Sequence, residues 1–165
     1  MTRDEFGAAV VAQTDRMYRI AYTLLRSDAD CRDAMQEAAL RAWEKRHTLK
    51  DERYFATWLT RILINACHDI GRRRQRVAAL EDLPEPSVPP PDPTLSMALA
   101  ALPEKLRLPL VLHEMEGMPY AEIARMLRVP QTTVVGRIHR ANAFYADLCS
   151  SHYLSSKYNP VFHRR

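Results

Sequence analysis

Asn65, Asp69, Arg72, Arg73, Arg74 and Arg76 bring a carboxamide, a carboxylate and four guanidinium groups into one short stretch. Between Arg41 and Arg76, ten bases (Arg41, Lys45, Arg46, Lys50, Arg53, Arg61, Arg72, Arg73, Arg74, Arg76) stand against four acids (Glu44, Asp51, Glu52, Asp69). Tyr54, Phe55, Asn65 and Asp69 interrupt the arginines. Such a basic track suits single-stranded nucleic acid: cations hold the phosphates, and each stacked base adds about 1–3 kcal/mol. A run of arginines closing a helix also complements the negative end of its dipole, so part of the run serves stability. Upstream the charge reverses, with Asp28, Asp30, Asp33 and Glu37 surrounding the lone base Arg32. An acidic helix start is favoured by the same dipole and, read alone, needs no partner.

Other chemistries lack their residues. No Ser-His-Asp grouping, glycine-rich phosphate loop or metal motif occurs, so no enzyme and no cofactor are expected. The six histidines are scattered, and Cys67-His68 has no second ligand pair for a zinc ion. Three cysteines, Cys31, Cys67 and Cys149, form neither a disulfide framework nor a paired zinc motif, and read as reduced thiols of a cytoplasmic protein. Met1-Thr2-Arg3-Asp4-Glu5 does not open a signal peptide. Charged residues break every apolar run well below the roughly 18 residues of a spanning helix, so the protein is expected to be soluble. Lys and Arg exceed Asp and Glu by 24 to 20, which is compatible with a polyanionic partner.

Helices must position these groups. Four glycines in 165 residues, with Ala, Leu, Arg and Met abundant, point to an all-α protein. Phe6, Val10, Met17, Ile20, Ala21 and Leu24 recur at helical steps and predict one first helix ending near Arg26. Ser27 or Asp28 caps a second, running to about Arg46 with Met35, Ala38, Ala39, Ala42 and Trp43 available for the core. Phe55, Trp58, Leu59, Ile62, Ala66 and Ile70 mark a third, from Tyr54 to about Arg76, with Trp58 read as core. Glu81–Thr94 holds six of the 11 prolines, four acids and no base, and is expected to be an extended spacer. Beyond it come a short helix over Leu95–Ala101, a helix from Pro103 to about Glu116 stopped by Gly117, and a helix over Tyr120–Leu127. A last helix begins at about Gln131, making a helix-turn-helix. The expected organisation is a helical bundle over 1–80, a linker over 81–94, a helix-turn-helix lobe over 95–145 and a tail over 146–165.

With those elements in place, the chain resembles the extracytoplasmic-function (ECF) sigma factors of bacterial RNA polymerase. Three stretches carry the likeness. Asp28-Ala29-Asp30-Cys31-Arg32-Asp33-Ala34-Met35-Gln36-Glu37-Ala38, followed by Arg41-Ala42-Trp43, is similar to the family's polymerase-binding helix. The resemblance assigns Asp33, Gln36 and Glu37 to the clamp helices of the largest core subunit. Phe55-Ala56-Thr57-Trp58-Leu59, with Asn65, Asp69 and Arg72-Arg73 following, is similar to the helix that engages the minus-ten element. By resemblance, that helix and the loop at about His47–Tyr54 hold a base flipped from the non-template strand. Asn65, Asp69, Arg72 and Arg73 are the implied DNA-binding positions, with Arg61 and Arg76 as further phosphate contacts.

The third stretch runs from Ala98 to Ala141 and resembles the lobe that reads the minus-thirty-five element. Gln131, Thr132, Thr133, Arg137 and Arg140 are best placed to meet base edges or phosphates in the major groove. Here the chain departs from the family pattern. Arg128 stands at the usual turn glycine, Thr132-Thr133-Val134-Val135-Gly136-Arg137 replaces the usual Gly-Thr-Val-Lys-Ser-Arg, and Asn142 replaces a later arginine. The resemblance implies a sigma factor that directs core polymerase to promoters and helps melt them, with promoter DNA and an anti-sigma factor as partners. Two other readings are a sigma-like decoy for an anti-sigma factor and a helix-turn-helix regulator acting without polymerase.

Overall fold

The structure, a computed structural model, describes residues 2–81 and 99–151. Every described element is helical, and the chain forms two compact units, Met1–Pro89 and Pro90–Arg165. The expected spacer, apart from Glu81, and the tail beyond Ser151 lie outside the described residues. So does most of the short helix expected over Leu95–Ala101, whose last turn, 99–101, is helical.

The first unit corrects one expectation. The single helix ending near Arg26 is two: α1 (Arg3–Val11) and α2 (Thr14–Leu25). Thr2 caps α1 through a capping box with Glu5, a signal legible in Thr-x-x-Glu. The break at Ala12 and Gln13 lets Phe6 turn onto the bundle, where its ring lies 5.2 Å from Trp43 and 5.8 Å from Phe55, both edge to face. Intrinsic propensity favours one continuous helix, and aromatic packing decides otherwise. Leu25 is buried while Leu24 is only partly so. Arg26 then closes α2 with φ of 54°.

Ser27 caps α3 (Asp28–Lys45) by accepting from the Asp30 amide. Its buried side is small and tight, with Cys31, Ala34, Ala38 and Ala42. Burial pushes the Cys31 thiol up to about 11, so it sits there as a neutral, space-filling group. Two 3₁₀ turns, Arg46–Thr48 and Glu52–Tyr54, lead into α4 (Phe55–Glu81), which extends five residues past the expected end at Arg76. Helices α2, α3 and α4 pack on one another. Leu59, Leu63, Ile64, Ala66 and Cys67 bury the inner face of α4. Each fully buried Leu or Ile contributes roughly 1.5–3 kcal/mol.

The second unit contains α5 (Glu104–Glu114), α6 (Tyr120–Leu127) and α7 (Gln131–Ser151). Gly117 adopts φ of 64°, and the Met118 amide donates to the Leu112 carbonyl across the end of α5, as a left-handed helix stop requires. Leu108, Val111, Leu112, Ile123, Val134 and Ile138 form the core. Helix α7 runs six residues into the segment expected as a tail.

Candidate nucleic-acid interface

On α4 the helical repeat gathers Arg61, Asn65, Asp69, Arg72 and Arg76 into an arc of about 80°. That arc faces away from Leu59, Leu63 and Ala66. Arg61, Asn65, Arg72 and Arg76 are exposed, and Asp69 is half-buried. Arg73, also exposed, flanks the strip. Arg61, Arg73 and Arg76 find no acidic partner among the described residues. The strip therefore offers cationic ends around one neutral carboxamide able both to donate and to accept.

Asp69 differs from its neighbours, because its carboxylate is already occupied. Oδ2 accepts from Arg41 Nη1 of α3 at 2.7 Å and Oδ1 from Arg72 Nη2 at 2.5 Å. Hydrogen bonds from Arg41 first, then Arg72, hold its carboxyl below the ordinary carboxylate value. Arg41 Nε also donates to Glu37 Oε1 at 2.9 Å. A four-member chain of alternating charge, Glu37–Arg41–Asp69–Arg72, thus joins α3 to α4. Arg74 turns the other way, donating to the Leu25 carbonyl at 3.2 Å and to Asp30 at 3.0 Å. In one run of four arginines, Arg72, Arg73 and Arg76 look outward and Arg74 ties the bundle together.

On α3, Asp33 and Gln36 are exposed and Glu37 is half-buried. All three share an arc of about 100° with Leu40, which is 62% exposed although apolar. Sequence reasoning passed over Leu40, yet its place seven residues after Asp33 was a readable signal. Beside the loop at 47–54 opens a cleft of about 300 Å³ lined by Phe6, Arg46, His47, Leu49, Glu52 and Trp58. Arg46 stacks 4.0 Å over the Trp43 ring. Trp58, read as core, lines this cleft and contacts the Phe55 ring at 5.9 Å. Phe55 is buried and unavailable for stacking, whereas Tyr54 is exposed.

In the second unit Val134, Ile138 and Ala141 bury one side of α7. Gln131, Thr132 and Arg140 are exposed, and Thr133 and Arg137 partly so. Arg140 donates only to the Gly136 carbonyl of its own helix, at 3.2 Å. Arg128 ends α6 with φ of 55°, a left-handed conformation costly for any residue with a Cβ. No described group of three or more His, Cys, Asp or Glu could hold a metal ion, and no described helix is long and apolar enough to cross a membrane.

Comparison with known proteins identifies the family. Residues 10–77 match Sigma-70 region 2 and residues 94–143 match Sigma-70, region 4, which defines a protein built from two sigma-70 regions. Among curated relatives, the ECF RNA polymerase sigma factor SigE of Mycolicibacterium smegmatis is 35% identical, over 84% of this chain and 59% of its own. SigM of Mycobacterium tuberculosis is 34% identical, over 81% and 71%. SigW of Bacillus subtilis is 31% identical, over 84% and 85%. The chain belongs to the ECF RNA polymerase sigma factors, a family of transcription initiation factors. It spans about three fifths of the length of its SigE relative.

Two solved structures share the fold. The sigma factor RpoE of Bartonella quintana, in complex with the anti-sigma factor NepR, superposes with a TM-score of 0.80 at 19% identity, covering 90% of this chain and 98% of its own. CnrH, in complex with the cytosolic domain of CnrY, gives 0.71 at 25% identity, covering 92% and 91%.

Proposed function

We propose that this chain is a cytoplasmic sigma factor that carries core RNA polymerase to specific promoters and helps open the minus-ten element, making no covalent change itself. The observation that carries this reading is the outward strip of α4, where one carboxamide stands among exposed arginines beside the cleft at 47–54. Arg61, Arg72, Arg73 and Arg76 hold the phosphates of the melted strand. Asn65 meets a base edge, and a flipped base enters the cleft. Flipping costs a few kcal/mol of stacking and pairing, which these contacts offset. Asp69 acts from behind, by placing Arg72.

Asp33, Gln36 and Glu37 form the docking face for core polymerase, and Leu40 adds an apolar anchor at its centre. In the second lobe Gln131, Thr132, Thr133, Arg137 and Arg140 enter the major groove at the minus-thirty-five element. Two lobes, over 1–80 and 95–145, joined by the acidic linker over 81–94, can span both elements. An anti-sigma factor is a further partner on this reading, since RpoE, a sigma factor of the same fold, was solved with the anti-sigma factor NepR.

Run-off transcription with purified core polymerase on a promoter library tests this reading. Sequence-selective transcripts are expected only when the chain is added, and Asn65→Ala should lower open-complex formation by about tenfold while core affinity holds. A tenfold change corresponds to about 1.4 kcal/mol, within the worth of a good base contact. Failure to bind core polymerase would refute the assignment.

A further inference from the structure

The chain Glu37–Arg41–Asp69–Arg72 connects a residue of the docking face to a residue of the DNA face. Its central cation, Arg41, comes from a helix position that neither face uses. Arg41 and Asp69 are partly shielded, with side chains 25% and 30% exposed, while Arg72 is 64% exposed. The two middle members are shared: Arg41 divides its guanidinium between Glu37 and Asp69, and Asp69 divides its oxygens between Arg41 and Arg72. A change at one end therefore alters the competition at the other. Pairs in one such network are coupled energetically, by about 0.5–3 kcal/mol.

We propose that Arg41 is a positioning residue that couples docking on α3 to release of Arg72 on α4. A partner that engages Glu37 takes that carboxylate from Arg41. The freed guanidinium then turns a two-pronged edge to Asp69, the favoured geometry for an arginine and a carboxylate. Asp69 in turn loosens its hold on Arg72, which becomes available to a phosphate. The free chain thus keeps one DNA-binding cation partly neutralised, and polymerase binding completes the strip. This inference rests on the proposed assignment of the α3 face to polymerase and the α4 face to DNA.

The test measures core-polymerase affinity and the salt dependence of promoter binding for holoenzymes carrying the wild-type chain, Arg41→Met, and Arg41→Met with Asp69→Asn. In Arg41→Met, Asp69 has Arg72 alone and holds it, so promoter affinity is expected to fall several-fold. The slope against salt should shrink by about 0.7, one phosphate contact on a single strand. Core affinity should stay within about threefold of wild type. Adding Asp69→Asn releases Arg72 and should restore the slope. A merely structural role predicts the opposite, because removing a second member of the network would deepen the loss.

An unchanged slope in Arg41→Met, or no restoration by Asp69→Asn, overturns the coupling. If Arg41→Met does not fold, judged by tryptophan fluorescence, Arg41→Lys replaces it. Lysine retains the charge but lacks the fork, and an intermediate slope is expected, restored by the same second substitution. A wild-type slope in Arg41→Lys overturns the coupling. A wild-type chain that binds no core polymerase refutes the functional assignment, and the coupling with it.

Discussion

The two lobes hold their outward residues by different means. On α4, the helix that carries the outward strip leans on a neighbour: Asp69 is tied to Arg41, 28 residues away, and the inward-turned Arg74 to Asp30, 44 residues away. On α7, Arg140 leans on the carbonyl four residues behind it, and Gly136 interrupts the outward side. The difference follows the tasks proposed for them. Capturing a single unstacked base requires side chains fixed within fractions of an ångström, which long-range pairs provide. A helix laid in the major groove is positioned as a whole body by phosphate contacts, so its side chains need less support.

The sharpest test of that contrast is a pair of arginine truncations. Arg74→Ala leaves Asp30 and the Leu25 carbonyl partly buried without this donor, and should lower the stability of the first lobe by about 1–3 kcal/mol. Arg140→Ala should alter second-lobe stability by no more than about 0.5 kcal/mol. Both tryptophans, Trp43 and Trp58, belong to the first lobe, so denaturation followed by tryptophan fluorescence reads that lobe and circular dichroism reads the whole. Equal effects of the two truncations would erase the distinction.

A smaller effect is expected at Gly136. Its missing Cβ would meet nothing within 4 Å, so Gly136→Ala should stabilise α7 by about 1 kcal/mol through helix propensity alone. In a domain of this size that raises the melting temperature by roughly 4–8 °C. A loss of stability would show that α7 is constrained in a way its surroundings do not reveal.

The smallest effect concerns acid. Because Arg41 and Arg72 lower the carboxyl of Asp69, its pairing adds stability above the ordinary carboxylate value near 3.9, lost as pH falls through the lower folded value. The stability difference between wild type and Asp69→Asn should therefore be constant from about pH 5 to 8 and vanish under stronger acid. A difference that decays between pH 5 and 7 would mean that another group controls the site.

Much of this arrangement was legible in the chain because it is local. Three- and four-residue spacing fixes which residues of α4 share a strip, Ser27 announces the start of α3, and Gly117 its counterpart's stop at α5. The Glu37–Arg41 pair, four apart on one helix, was equally readable. What escaped is tertiary. Nothing near Ala12 marks the break between α1 and α2, since its cause is the Phe6 ring meeting Trp43 and Phe55. Arg72 and Arg74 have the same chemistry two positions apart, and only packing against α2 and α3 sends one outward and the other in. Phe55 carried an aromatic ring suited to stacking, but the core took it.

Gly136 has a consequence for anyone wishing to retarget this protein. In most binding helices, a new specificity-bearing side chain must displace an existing contact, so altered recognition and robustness pull against each other. Here the slot on the outward side is vacant and its present occupant is the weakest helix former but proline. On the proposed reading of α7 as the helix that enters the major groove, almost any replacement both firms the helix and adds a reader, which makes residue 136 the place where a new promoter preference could be written without erasing the old one.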